Sequence, residues 1–126
     1  MKSKILLTFL IFNAFCNAQI VNIPDKNFKA ALLTANIDTN KDGEIQYSEA
    51  ATVTSLSVRF KYIFDLTGIE AFKNLTSLDC SLNGLTSIDL SNNVALTDLN
   101  CETNGLTQLD ISKNIALKKL NCYENF

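Results

Sequence analysis

Leu75-Thr-Ser-Leu78-Asp-Cys80-Ser-Leu-Asn83-Gly-Leu85 recurs as Leu96-Thr-Asp-Leu99-Asn-Cys101-Glu-Thr-Asn104-Gly-Leu106 and begins a third time as Leu117-Lys-Lys-Leu120-Asn-Cys122-Tyr-Glu-Asn125. Every matched position is offset by 21 residues, too short a period for the helical repeats, which run to about 33 residues or more. A unit of this size cannot bury its own apolar face, so successive units must stack and share one core.

Within each unit the apolar and polar residues alternate. A short strand through Leu78-Asp79-Cys80 puts Leu78 and Cys80 inside and leaves Ser77, Asp79 and Ser81 facing solvent. Asn83, Asn104 and Asn125 then fall where the chain must turn. An amide there carries two donor hydrogens and an acceptor, enough to satisfy backbone groups that the turn buries. The three side chains are expected to stack as a ladder. The second half of each unit, Leu85-Thr-Ser-Ile88-Asp-Leu90-Ser and Leu106-Thr-Gln-Leu109-Asp-Ile111-Ser, repeats the strand pattern. Extended structure is therefore expected on both sides of the coil, with little helix. The period and pattern predict a leucine-rich-repeat solenoid of the right-handed α/β superhelix class, mostly short parallel strands, behind a small helical N-terminal cap.

Val53-Thr-Ser-Leu56-Ser-Val58 is the same strand one coil earlier, 22 residues before Leu75. Its outer segment runs Ile63-Phe-Asp65-Leu66-Thr-Gly68-Ile69-Glu-Ala-Phe72-Lys-Asn74. This coil resembles the internalin-type leucine-rich repeat. It departs at Lys61, where that family has the ladder asparagine, and at Gly68, where it often has proline, so the ladder is expected to begin in the second coil. Coils start at positions 53, 75, 96 and 117, the last incomplete, and the repeats occupy 53–126.

At the amino terminus, Lys2 and Lys4 precede an apolar run from Ile5 to Phe15, and Cys16-Asn17-Ala18 supplies small residues before Gln19. Residues 1–18 therefore read as a secretory signal peptide, and the chain as secreted or displayed at the cell surface. The apolar run falls short of the roughly 20 residues that a resident transmembrane helix needs. Lipid anchoring at Cys16 would call for a small residue before it, where Phe15 stands.

Without the leader the chain keeps 9 of its 11 basic residues and all 13 acidic ones, a net charge of −4. That disfavours nucleic acid and anionic membrane as partners. Cys80, Cys101 and Cys122 remain, in one inward column of consecutive coils. Neighbouring strands lie about 4.8 Å apart with side chains pointing the same way, a poor match to disulfide geometry. Buried free thiols are the expectation. With no histidine and no paired C-x-x-C spacing, a zinc-type site is not indicated.

One chemical motif lies in the cap, residues 19–52. Asp38-Thr-Asn40-Lys-Asp42-Gly43-Glu44-Ile45-Gln46-Tyr-Ser-Glu49 matches the twelve-residue EF-hand loop, residues 38–49, at each position that carries a role. Asp38, Asn40 and Asp42 can direct hard oxygens at a single cation, and Gly43 suits the sharp turn. Glu44 would lend its backbone carbonyl, Gln46 would act directly or through a water, and Glu49 would close the site as a bidentate ligand. The cofactor expected is Ca2+; the alternative is an Asx-rich turn that never meets calcium. Asp25 after Pro24 can cap an entering helix with an apolar stripe of Phe28, Ala31, Leu32 and Ala35. Ser48-Glu49-Ala50-Ala51 leaves room for about one exit turn, a dockerin-style arrangement more than a paired sensor EF-hand.

Residues 20–126 as a whole resemble the secreted leucine-rich-repeat proteins of flavobacteria and their relatives. The features shared are Ile23-Pro24-Asp25-Lys-Asn27-Phe28, the Asp-Thr-Asn-Lys-Asp-Gly-Glu-Ile-Gln loop, the Asp65-Leu-Thr-Gly-Ile-Glu-Ala-Phe72 coil and the Leu-Asp-Cys and Leu-Asn-Cys repeats. The resemblance implies architecture and export, and no single activity.

Two functional classes stay open. One is a non-catalytic binding module whose strand face takes an extracellular protein or glycan, with calcium stabilising the cap. The other is a structural spacer within a larger surface protein. An enzyme is not indicated, since the chain has no histidine, no nucleophile elbow and no phosphate-cradling loop. The outward columns are Ser55, Ser77, Asp98, Lys119; Ser57, Asp79, Asn100, Asn121; and Arg59, Ser81, Glu102, Tyr123. The coil begun at Leu117 stops halfway round at Phe126, so the sequence predicts either further repeats or self-association through an uncapped last coil.

Overall fold

A computed structural model describes residues 19–126; the expected signal peptide lies outside them. Four strands form the frame: β1 (Ser55–Ser57), β2 (Ser77–Asp79), β3 (Asp98–Asn100) and β4 (Lys119–Asn121). They make one parallel sheet in chain order, with Leu56, Leu78, Leu99 and Leu120 in register. One coil advances the chain by one strand, so the repeat period and the sheet register are the same quantity. The strands are three residues long because only Leu-x-Cys or Leu-x-Val must alternate before the chain turns inward.

The core is the column those strands create. Leu56 and Val58, then Leu75, Leu78, Cys80, Leu85 and Leu90, then Leu96, Leu99, Cys101 and Leu106 are buried in one continuous cluster. Burying each such leucine contributes about 1.5–3 kcal/mol. In the last coil Leu117 is half-buried and Leu120 is 42% exposed.

The turn after each strand is left-handed at one shared position: Phe60, Leu82, Thr103 and Glu124 have φ between 52° and 55°, and the first coil adds Tyr62 at 57°. The asparagine that follows in three of the coils makes this conformation tenable. Asn83 Nδ2 donates to the carbonyls of Val58, Cys80 and Ser81, and its Oδ1 accepts from Lys61 N and Ile63 N. Asn104 and Asn125 repeat the pattern one and two coils on, so the ladder begins in the second coil and reaches back to the first.

The outer halves differ from expectation. No strand forms there; the chain runs through bends and turns, with a single 3-10 turn at Ile69–Ala71. One backbone bond per coil links neighbours, as in Gly105 N to Leu85 O at 2.8 Å. What holds this side is a second asparagine ladder. Buried Asn93 Nδ2 donates to Ile69 O and Phe72 O, and Asn114 Nδ2 to Leu90 O and Asn93 O. An amide that satisfies carbonyls across coils lets the backbone turn without a strand ladder.

The cap begins with α1 (Lys26–Thr34), N-capped by Asp25 and burying Phe28, Ala31 and Leu32. Ala35 is its C-cap and is exposed, outside the predicted stripe. A one-turn helix, α2 (Tyr47–Ala50), leads to β1. Gly68 joins cap to coil. Its φ is +108°, which proline cannot adopt, and a Cβ there would lie 2.7 Å from Ile23 Cγ1.

Candidate functional site

The predicted metal ligands sit on the loop between α1 and α2. Two helices and a strand bridge hold it: Ile20 pairs with Gln46, Val21 N donates to Ile45 O at 2.7 Å, and Ile45 is fully buried. Gly43 takes φ +82°, the turn that the loop pattern requires.

Asp38 accepts from Asp42 N through Oδ1 and from Gly43 N, at 2.9 Å, through Oδ2. Asn40, Asp42 and Gln46 meet at one point. Asp42 Oδ2 accepts from Asn40 Nδ2 at 3.0 Å and from Gln46 Nε2 at 2.8 Å, while Asn40 Nδ2 also approaches Gln46 Oε1. The Glu44 side chain leaves the loop and pairs with Lys29 at 2.7 Å, which leaves its main-chain carbonyl as the only oxygen it could turn toward the loop centre.

Glu49 is buried at 7% exposure beside the loop. Its Oε1 accepts from Thr39 N, Thr39 Oγ1 and Asn40 N, and its Oε2 from Gln46 N, which closes a capping box on α2. Burial pushes the carboxyl up, but the N–H of Gln46 and the Thr39 hydroxyl and N–H outweigh it and hold the group below its ordinary value. Among the described residues, no three His, Cys, Asp or Glu side chains converge closely enough to hold a metal by themselves. The donor set nonetheless fits calcium in kind: it is all oxygen, divided among carboxylates, amides and one main-chain carbonyl.

The strand face is the second candidate. Ser55, Ser57, Lys119 and Asn121 are exposed, and Ser77, Asp79, Asp98 and Asn100 half-buried. A shallow depression of about 360 Å3 crosses β2, β3 and β4. Lateral pairs fill it: Lys119 Nζ lies 3.2 Å from Asp98, and Asn121 Nδ2 donates to Glu102 at 3.0 Å. Ser81, expected to face outward, is fully buried instead. Its hydroxyl donates to Asp79 and accepts from Arg59 Nη1 at 3.0 Å, which ties the first two coils together.

Sequence reasoning passed over a third feature. Phe60, Tyr62 and Phe64 are 58%, 64% and 67% exposed on the turn after β1. Their clustering within Arg59-Phe-Lys-Tyr-Ile-Phe64 is visible in the sequence, but the 21-residue register drew attention to the columns and away from the one coil whose turn departs from it.

The cysteine column is inward at Cys80 and Cys101, both buried free thiols, whereas Cys122 is free but exposed. The expectation of three buried thiols holds at Cys80 and Cys101 and fails at Cys122, just after the fourth strand. No helix among the described residues is long and apolar enough to cross a membrane.

No family model matches the chain. Over 70 residues, 56% of its length, it is 41% identical to Internalin J of Listeria monocytogenes serotype 4b (strain F2365), of which it spans 8%. Its structure is similar to that of an internalin, inlF, from Listeria monocytogenes, with a TM-score of 0.75 at 26% identity over 82% of this chain and 31% of that one. The functional domain of InlJ from Listeria monocytogenes, which includes a cysteine ladder, superposes with a TM-score of 0.55 at 32% identity, covering 86% of this chain and 30% of that one. A structure of CBM51-2, in complex with GlcNAc, and INT domains from Clostridium perfringens ZmpB gives 0.60 at 29% identity, over 70% of this chain and 18% of that one. The inward repeat of Leu-x-Cys, the asparagine ladder and the single parallel sheet agree with these likenesses: the chain folds as a leucine-rich-repeat solenoid similar to those of the internalins.

Proposed function

We propose that this chain is a non-catalytic binding module, exported to the cell surface or beyond, which takes an extracellular protein or glycan on its solvent-facing sheet. The observation that carries this reading is the open four-stranded face, whose outward side chains lie in regular columns on a rigid, ladder-braced frame. Rigid frames suit recognition because little ordering entropy is lost on binding. Likeness to internalin J and inlF supports it, although the chain spans 8% and 31% of those proteins.

Calcium has a stabilising part in this proposal. Asp38, Asn40, Asp42, Gln46, the Glu44 carbonyl and Glu49 would hold the ion, and the ion would add a link between the loop and α2, which leads directly into β1. Such a site stabilises the folded chain by mass action.

Glycan and extracellular-protein arrays probed with the exported chain test the module. A ligand retained by the parent and lost with Asp98→Lys supports the strand face, whereas silence on both arrays would favour a spacer. For calcium, titration calorimetry and thermal melting decide. The midpoint should rise with calcium and less with magnesium, and Glu49→Gln should weaken the effect more than Gln46→Ala. No heat and no shift at millimolar calcium would eliminate the site.

A further inference from the structure

Three of the eight aromatic residues after position 18 fall within five positions of one turn, together with the only arginine of the chain. The backbone there is badly suited to them. Phe60 takes the left-handed φ that Leu82, Thr103 and Glu124 share at this place in their coils, and Tyr62 adds a second, at +57°, that no other coil has, a region that bulky side chains rarely adopt and that asparagine or glycine would occupy with less strain. Burial offers no compensation, because all three rings are mostly in solvent. Strained, exposed aromatics mark a site kept for what it contacts.

The turn is also held unusually firmly. Asp25, which caps α1 through Oδ1, accepts from Phe64 N at 2.8 Å and Asp65 N at 3.1 Å through Oδ2. Asn27 Nδ2 donates to Tyr62 O at 2.8 Å, and Asn83 Oδ1 accepts from Lys61 N and Ile63 N. Phe64 lies over Gly84, where any Cβ would displace it. The cap helix and the second coil therefore clamp the turn from both sides, and the rings are presented without a loop to order.

The shape selects among ligands. Phe60 and Tyr62 have centroids 5.2 Å apart and planes inclined at 45°, which makes a notch and not a flat platform. With Phe64, Leu82 and Gly84 they line a depression of about 350 Å3. Of its polar neighbours, Asn83 has both amide atoms committed to the turn and Thr103 donates its hydroxyl to Glu124, which leaves the Tyr62 phenol as the polar group within the notch. Arg59 and Lys61 are exposed and alternate with the rings, a basic rim on an acidic chain. Aromatic and arginine side chains with this arrangement are the common anchors of protein interfaces.

We propose that the Phe60–Tyr62–Phe64 notch is a docking site for an extracellular polypeptide that inserts one large apolar side chain and sets carboxylates against Arg59 and Lys61. This rests on the binding-module reading and names its anchor, at the edge of the first coil and not in the strand columns.

Aromatic and amide NMR shifts of the full chain would be followed on titration with three probes: a capped acidic peptide with one central phenylalanine, the same peptide with lysines for its acids, and a panel of neutral oligosaccharides. The acidic peptide should shift the three rings, more weakly at high salt, and the basic one should not. Phe60→Asn and Tyr62→Asn should bind the acidic peptide at least tenfold more weakly while melting at or above the parent temperature, because asparagine tolerates this φ. That last result separates lost contact from lost fold. Shifts confined to the strand face would keep the module and overturn this site. Oligosaccharide shifts at the rings, or concentration-dependent ring shifts of the protein alone, would overturn it in favour of a glycan or a second copy. No shift with any probe would count against this site and the module together.

Discussion

Asn104 shows how much one side chain can carry. Its amide makes three donor contacts of 3.1–3.3 Å to the carbonyls of Cys80, Cys101 and Glu102, and accepts from Leu85 N at 3.0 Å. Asn93, in the outer ladder, donates to two carbonyls, and its Oδ1 has no protein partner. Leaving buried backbone groups unpaired costs about 1–3 kcal/mol. Asn104→Ala is therefore expected to lower stability by an amount in that range, and Asn93→Ala by less, since truncation also removes an unsatisfied oxygen. Urea unfolding curves of the two variants decide the order; a larger loss at Asn93 would mean that the outer ladder is the more important brace.

At the scale of the strand, position in the stack sets the chemistry of identical residues. Cys80, between β1 and β3, is fully buried and donates its thiol toward Asn100 O at 3.5 Å. Burial raises its ionisation far above the ordinary range. Burial, and then the neighbouring Cys122 thiol, raises Cys101 to about 11, leaving roughly one molecule in a thousand as thiolate at pH 8. Cys122, just after β4, is exposed. Alkylation of the native protein with iodoacetamide should label Cys122 quickly and Cys80 and Cys101 only on the time scale of unfolding. Three thiols should be counted after denaturation without reductant, and a count of one would show that two neighbours are bridged.

The whole molecule combines these local shifts into a stability window. Asp25 and Glu49 are pulled two ways: burial raises their carboxyl pKa, and hydrogen bonds, from Phe64 N foremost for Asp25 and from Gln46 N foremost for Glu49, bring both below their ordinary 3.8 and 4.5. A depressed carboxyl stabilises the fold at pH above those values and loses the contribution as pH falls through the folded value. The raised thiols work at the other limb: their contribution is complete below their ordinary 9.0 and is lost as pH rises toward the folded value, about 11 for Cys101. The melting temperature should thus be flat from about pH 5 to pH 8.5 and fall on both sides. Cys101→Ala should make the alkaline limb shallower, with Cys80 still contributing, and leave the acid limb in place; an unchanged alkaline limb would exclude Cys101 as a cause. The acid limb matters structurally because Asp25 joins the cap to the first coil and Glu49 joins the loop to α2.

Periodic features of this protein could be read directly from the chain. A 21-residue repeat with Leu-x-x-Leu-x-Cys and an asparagine three residues on leaves one way to bury the leucines and satisfy the turn, so the sheet register and the first ladder follow from spacing alone. The turn at Gly43 was legible for the same reason, since the loop pattern sets a positive φ there and the residue has one. Features that depend on contacts between distant segments were not legible. The outer ladder needs the neighbouring coil to supply Ile69 O and Phe72 O, and the outer strands fail because those coils meet through one backbone bond and a side-chain amide. Ser81 is buried because Arg59, 22 residues away, reaches its hydroxyl. The aromatic notch exists because Asp25 and Asn27 from the cap and Asn83 from the second coil hold a strained turn that its own residues disfavour. Local spacing encodes local geometry, whereas exposure, strain and clamping belong to surfaces that come together only when the coils and the cap have stacked.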